Sequence, residues 1–87
     1  MAALPDKSNT VIVLPTGAIE QHGPHLPCSV DSVISSGVAG HALARLPATI
    51  PAYAIPPIVY GKSEEHLHFP GTLTLSGDTL LHTLLEI

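Results

Sequence analysis

The sequence predicts an α/β fold whose strands pair mostly in parallel. Three observations carry that prediction. A short run, Thr10 to Leu14 (TVIVL), is apolar and β-branched without polar alternation, the pattern of a strand buried on both faces. Asp31 to Leu46 carries apolar residues at helical spacing, with Val33, Ile34, Val38, Ala42 and Leu46 able to share a face. Apolar segments then follow in the order strand, helix, strand, helix, which builds a parallel sheet with helices packed on it.

Residues 1–9 are expected to form a flexible leader, with no basic segment followed by an apolar core of the signal-peptide kind. After the first strand, Pro15, Gly17, Gly23, Pro24 and Pro27 punctuate a long loop. Asp31 is a plausible N-cap for the helix that follows, and Gly37 and Gly40 each weaken that helix by about 1 kcal/mol relative to Ala. Pro47 and Pro51 end it. Ala52 to Tyr60 is apolar but holds Pro56 and Pro57, so any strand there is short. Tyr60 to Gly71 reads as a polar loop, and Thr72 to Leu75 as another short strand. Ser76 then caps a second helix, with Asp78 in its first turn. That helix is still apolar at Leu84, Leu85 and Ile87, without a stop signal.

The balance of residues narrows the function. Of 87 residues, 45% are hydrophobic and 11% charged, so the chain is not a disordered tail. A free-standing domain of this size buries only about 60% of its unfolded surface. Cys28 is the single cysteine, which excludes an internal disulfide and weakly favours a reducing compartment. The net charge is −4, and Lys7, Arg45 and Lys62 form no basic cluster, which argues against nucleic acid. No apolar run approaches the roughly 18 residues that span a bilayer. The expectation is a cytoplasmic protein with neither nucleic acid nor membrane as partner, present as the N-terminal part of one larger domain over 1–87. The alternative is a small protein whose apolar helix docks on a partner.

The richest chemistry lies in Glu20-Gln21-His22-Gly23-Pro24-His25-Leu26-Pro27, followed by Asp31. In open α/β sheets, ligands sit beyond the carboxyl ends of the strands, where this segment falls. Glu20 and His22 are two apart, so in extended chain both side chains point the same way. Asp31 returns after the bent loop and can add a second carboxylate. Two carboxylates and an imidazole suit Zn²⁺ or Mn²⁺. Singly, each residue has an ordinary role: Asp31 as a helix cap, His22 and His25 as loop residues bonded to carbonyls, Glu20 as a solvated charge. Chemistry alone leaves the two readings evenly balanced.

The wording of two blocks goes further. Leu14-Pro15-Thr16-Gly17-Ala18-Ile19-Glu20-Gln21-His22-Gly23-Pro24-His25-Leu26-Pro27, then Asp31, resembles the N-terminal signature of the creatininase (creatinine amidohydrolase) family. Tyr60-Gly61-Lys62-Ser63-Glu64-Glu65-His66-Leu67-His68-Phe69-Pro70-Gly71-Thr72-Leu73-Thr74-Leu75 is similar to a second family block. The blocks stand in the family's order with a helix between them.

The resemblance implies a three-layer α/β/α domain holding two divalent metals, Zn or Mn, and hydrolysing C–N bonds in cyclic or linear amides. It implies that Glu20 ligates one metal, His22 the other, and Asp31 bridges them. His25 becomes a supporting residue that orients the loop or a ligand, and Ser63 a substrate contact. His66 is expected to be structural or to face a subunit. His41, His68 and His82 are expected to be ordinary surface or packing residues, and Cys28 a small buried one. A homo-oligomer acting on a small amide is implied as well. The family's downstream His and Glu have no match here, so three of five expected ligands are present. The implied enzyme would then be inactive as this piece alone. The competing reading is a non-catalytic or scaffold protein that works only by assembling with a partner.

Overall fold

The computed structural model describes residues 7–87. The leader expected over 1–9 therefore lies outside the described residues for its first six positions, and its last three, Lys7–Asn9, form an exposed 3-10 turn.

The first strand, β1 (Val11–Val13), is two residues shorter than the apolar run that predicts it. Helix α1 spans Val30–Ala44, strand β2 Ala52–Ala54, and helix α2 Gly77–Glu86. A single 3-10 turn, Glu64–His66, stands between β2 and α2. The strands pair in parallel, Val11 opposite Ala52 and Val13 opposite Ala54, with α1 crossing between them. The predicted βαβ order is therefore present. Past the prolines the pairing continues as one more parallel bridge, Thr16 to Ile58. There Gly17 N donates to Ile58 O at 2.8 Å and Ile58 N donates to Pro15 O at 3.0 Å. Pro15 can accept but not donate, so the ladder narrows here without breaking.

The expected strand at Thr72–Leu75 is instead an isolated antiparallel bridge between Ile19 and Leu73. Its bonds run to different segments. Leu73 N donates to Ile19 O at 2.9 Å, whereas Leu75 N donates to Gly61 O at 2.9 Å. A stretch that bonds two unrelated partners ties them together but builds no ladder.

The helices follow their caps. Asp31 does not cap α1: Ser29 holds that position, without a side-chain cap bond, and Asp31 lies in the first turn. Its carboxylate there still suits the positive end of the helix dipole. Ser76 caps α2 as expected, its hydroxyl accepting from Thr79 N at 3.1 Å.

Burial departs most from expectation. No hydrophobic side chain among the described residues is buried, and Val11 and Ile12 are 52% and 37% exposed rather than covered on both faces. The extents of 47 × 30 × 15 Å explain this, since the thin dimension holds little more than one helix stacked on one sheet. α1 packs on β2. It turns Ala42 and Leu43 toward an apolar groove of about 310 Å³ that Leu46, Val11 and Val13 also line. Val33, Ile34 and Val38, expected on the packed face, are 63%, 58% and 63% exposed.

Candidate metal centre

Glu20 leaves the end of the β1 line through a segment held at both sides. Glu20 N donates to Cys28 O at 3.0 Å, which closes the Gly/Pro loop on itself. Gln21 N donates to Thr72 Oγ1 at 3.0 Å, which joins the first block to the second. Gly23, at φ +86°, supplies the left-handed residue that the loop needs to turn back. Glycine is also required at Gly17, where a Cβ would stand 2.6 Å from Ser32 Cα. That close approach seats the start of α1 against the loop. Buried Ser32 reinforces it, its hydroxyl reaching Ala18 O at 3.4 Å. Asp31, one residue earlier, is thereby brought over the loop.

The loop orients His22. Its Nδ1 lies 3.0 Å from Glu20 O. A carbonyl only accepts, so Nδ1 carries a proton, and in the neutral ring it is Nε2 that presents the lone pair, the form that ligates metals. Nε2 faces Asp31 Oδ1 at 3.4 Å and Glu20 Oε1 at 3.9 Å. Both distances exceed ordinary hydrogen-bond length. Two ligand atoms on one tetrahedral ion with bonds of about 2.1 Å stand about 3.4 Å apart. A lone pair facing two carboxylates is repulsive, and either a proton on Nε2 or a bound cation turns the contact attractive. One ligand atom from each of Glu20, His22 and Asp31 lies within 4.8 Å of the other two. No Lys or Arg pairs with any of the three among the described residues, since Lys62 pairs with Glu64 at 3.4 Å.

The other expected residues are placed differently. His25 is exposed on the turn after Gly23, with no side-chain hydrogen bond to the described residues. Ser63 is fully buried, and its hydroxyl has no hydrogen-bond partner among the described residues. Its backbone N–H donates to Thr74 Oγ1 at 2.7 Å. Cys28, expected to be buried, is half-buried, with Sγ packed where a side chain on Gly71 would go. His41, His68 and His82 are exposed, and His68 leans on Phe69 with ring centres 4.3 Å apart.

The structure adds two residues that sequence reasoning left out of the site. His66 Nε2 lies 3.8 Å from Glu20 Oε1, and its ring is within 18° of parallel to that of His22, with centres 6.0 Å apart. Glu65, His66 and Glu20 form a second group with ligand atoms mutually within 4.8 Å. The available signal was the run Glu64-Glu65-His66 directly after Ser63, an acidic pair and an imidazole inside one of the two blocks.

Comparison with known proteins matches this chain to the Creatininase family, described as creatinine amidohydrolase, over residues 1–87. The chain belongs to the creatininase family. A mycofactocin precursor peptide peptidase of Mycolicibacterium smegmatis is 43% identical over 78 residues, which covers 87% of this chain and 32% of that protein. The creatinine amidohydrolase of Pseudomonas putida is 38% identical over 82 residues, covering 88% of this chain and 30% of that protein. A solved structure of a tryptophan-to-alanine mutant creatininase superposes with a TM-score of 0.79 at 36% identity, over 91% of this chain and 31% of that one. The α/β fold is thus that of creatininase, and the chain spans about a third of the length of the relatives it matches. No helix among the described residues is long and apolar enough to cross a membrane.

Proposed function

We propose that this chain supplies the first part of a divalent-metal centre in a cytoplasmic hydrolase of amide C–N bonds. One observation carries the reading: Glu20, His22 and Asp31 converge within ligand distance of one another, unneutralised by Lys or Arg. The donor set fits Zn²⁺ or Mn²⁺, which favour imidazole and carboxylate oxygen. A divalent ion held there supplies Lewis acidity, acidifying a bound water and polarising a carbonyl.

The chain's own residues prepare that chemistry. The bond between His22 Nδ1 and Glu20 O fixes the ring's orientation and aims Nε2 at the two carboxylates. Near-burial of Glu20, 9% exposed, strengthens its electrostatics by excluding water. Asp31 is held on a rigid helix rather than on the loop. Ser63, with its unpaired hydroxyl, is the group assigned to substrate contact, and exposed His25 to loop support. The related proteins are named as a peptidase and as an amidohydrolase, and both names denote cleavage of an amide-type bond. That supports the bond class for a homo-oligomeric whole protein acting on a small amide.

The test uses the full-length protein against creatinine and a short peptide. Chelation should abolish hydrolysis of one of them, Zn²⁺ or Mn²⁺ should restore it, and Asp31→Asn should lower it by about 100-fold or more. Turnover that persists after chelation and in Asp31→Asn would remove the reading. A second reading is favoured by the exposed apolar residues, Leu85 at 72% and Val33 at 63%. In it the chain is a non-catalytic piece that works by assembling with a partner. Turnover by the isolated chain would exclude it.

A further inference from the structure

Residues 71–75 meet the two site-bearing stretches in the same way twice. Leu73 N donates to Ile19 O at 2.9 Å, and two residues beyond Ile19 the N–H of Gln21 donates to Thr72 Oγ1 at 3.0 Å. Leu75 N donates to Gly61 O at 2.9 Å, and two residues beyond Gly61 the N–H of Ser63 donates to Thr74 Oγ1 at 2.7 Å. Each time a threonine hydroxyl accepts where a strand ladder would offer a carbonyl. A partly buried N–H needs an acceptor, and the two hydroxyls supply it. The residue held between the paired bonds is Glu20 in the first case and Lys62 in the second.

We infer that Thr72 is a positioning residue for the metal centre, acting on His22 through the peptide that joins Glu20 to Gln21. The inference rests on the metal reading above. That peptide is planar, so its C=O and its N–H turn together. Its N–H is held by Thr72 Oγ1, and its C=O lies 3.0 Å from His22 Nδ1. One hydroxyl therefore sets the peptide plane, and the plane sets the imidazole. The Nε2 of that ring faces Asp31 Oδ1 at 3.4 Å and Glu20 Oε1 at 3.9 Å. Hydrogen bonds linked through one peptide also polarise each other, which strengthens both. A group that orients a ligating histidine from behind changes metal affinity without touching the ion.

Thr72 is itself fixed. Gly71 before it takes φ +97°, a left-handed conformation that glycine adopts freely. A Cβ there would meet Cys28 Sγ at 2.8 Å, so the thiol packs directly against Gly71. The carbonyl of Cys28 in turn accepts from Glu20 N at 3.0 Å. Glu20 is thus bracketed by Cys28 at its own N–H and by Thr72 across the peptide that follows it. Thr74 carries the same hydroxyl and accepts from the same kind of donor, but it holds Ser63 and none of the three ligands. The two threonines form a matched pair, alike in chemistry and different in what they hold.

The experiment measures Zn²⁺ affinity of the full-length protein by competition with a chromogenic chelator, beside thermal unfolding of the metal-free form. Thr72→Val keeps the shape of the side chain and takes the acceptor from Gln21 N–H. It should weaken Zn²⁺ binding by at least about tenfold and change the visible absorption of Co²⁺ bound in its place. Thr72→Ser, which keeps the hydroxyl, should bind Zn²⁺ as the parent does. Thr74→Val removes a bond of the same kind, so it should lower the unfolding temperature by a similar amount and leave Zn²⁺ affinity at the parent value. Parent-like affinity in Thr72→Val, or equal weakening in Thr72→Val and Thr74→Val, overturns the proposal and leaves the metal reading standing. A parent protein that binds no Zn²⁺ removes the metal reading and the proposal with it. Should Thr72→Val fail to match the circular dichroism of the parent, Thr72→Ala is read against Thr72→Ser. A gap of at least about tenfold between them is then expected, and equal affinities overturn the proposal.

Discussion

The loop that carries the candidate site and the helices beside it reverse the usual distribution of polarity. Glu20, Ser32 and Ser63 are 9%, 7% and 0% exposed, while Val33, Val38 and Leu85 are 63%, 63% and 72% exposed. The polar loop is closed by contacts that the chain makes with itself: Glu20 N to Cys28 O, Gln21 N to Thr72 Oγ1, Gly17 against Ser32. The apolar faces have no such closure among the described residues. A site of this kind is shaped by backbone hydrogen bonds and glycine contacts over short and medium range. A hydrophobic core requires two apolar surfaces to meet, and a thickness of 15 Å leaves room for one such meeting at most.

The largest effect should come from the ligands. In the full-length protein, Glu20→Gln and His22→Ala should each weaken Zn²⁺ binding by about 100-fold or more, with little change in thermal stability. Equal affinity, read by competition with a chromogenic chelator, would break the link between loop closure and metal.

The loop's scaffold should be nearly as sensitive. A methyl on Gly17 would press on the backbone of Ser32, a neighbour that cannot swing away. Gly17→Ala should therefore cost about 2–3 kcal/mol in urea unfolding, and it should weaken metal binding as well, because α1 carries Asp31. A destabilised protein with unimpaired metal binding would show that the Gly17–Ser32 approach serves the fold and not the site.

The helices should respond less. Removing the cap in Ser76→Ala should cost about 1 kcal/mol, since its hydroxyl holds Thr79 N. At the bottom of the scale, Leu85→Ala in this 87-residue chain should shift stability by no more than about 0.5 kcal/mol, because the side chain is 72% exposed. A loss of several kcal/mol at Leu85 would mean that the apolar face is covered in solution, and the contrast between the two regions would fail.

These differences also explain what was legible in the sequence. The parallel pair at Val11–Val13 and Ala52–Ala54 could be read because the first run is β-branched and prolines bound the short apolar run that holds the second. Ser76 could be read as a cap because capping is local. Glu20, His22 and Asp31 could be read together because one Gly/Pro loop and one helix start hold all three. What failed depended on distant partners. Thr72–Leu75 looks like a strand, but its N–H groups serve Ile19 and Gly61 rather than one neighbour. Val33 and Val38 have core spacing, yet spacing cannot say whether a partner layer is there to receive them. Asp31 looks like a cap, and only the position of Ser29 in space moves it into the first turn. His66 was passed over because nothing in the sequence places residue 66 beside residue 20.

The measurement closest to the central claim is anomalous X-ray scattering at the zinc edge from crystals of the protein grown with Zn²⁺. The account predicts a peak about 2.0–2.2 Å from His22 Nε2 and from carboxylate oxygens of Glu20 or Asp31. Zinc bound elsewhere with that space filled by water, or no peak at all, would contradict it.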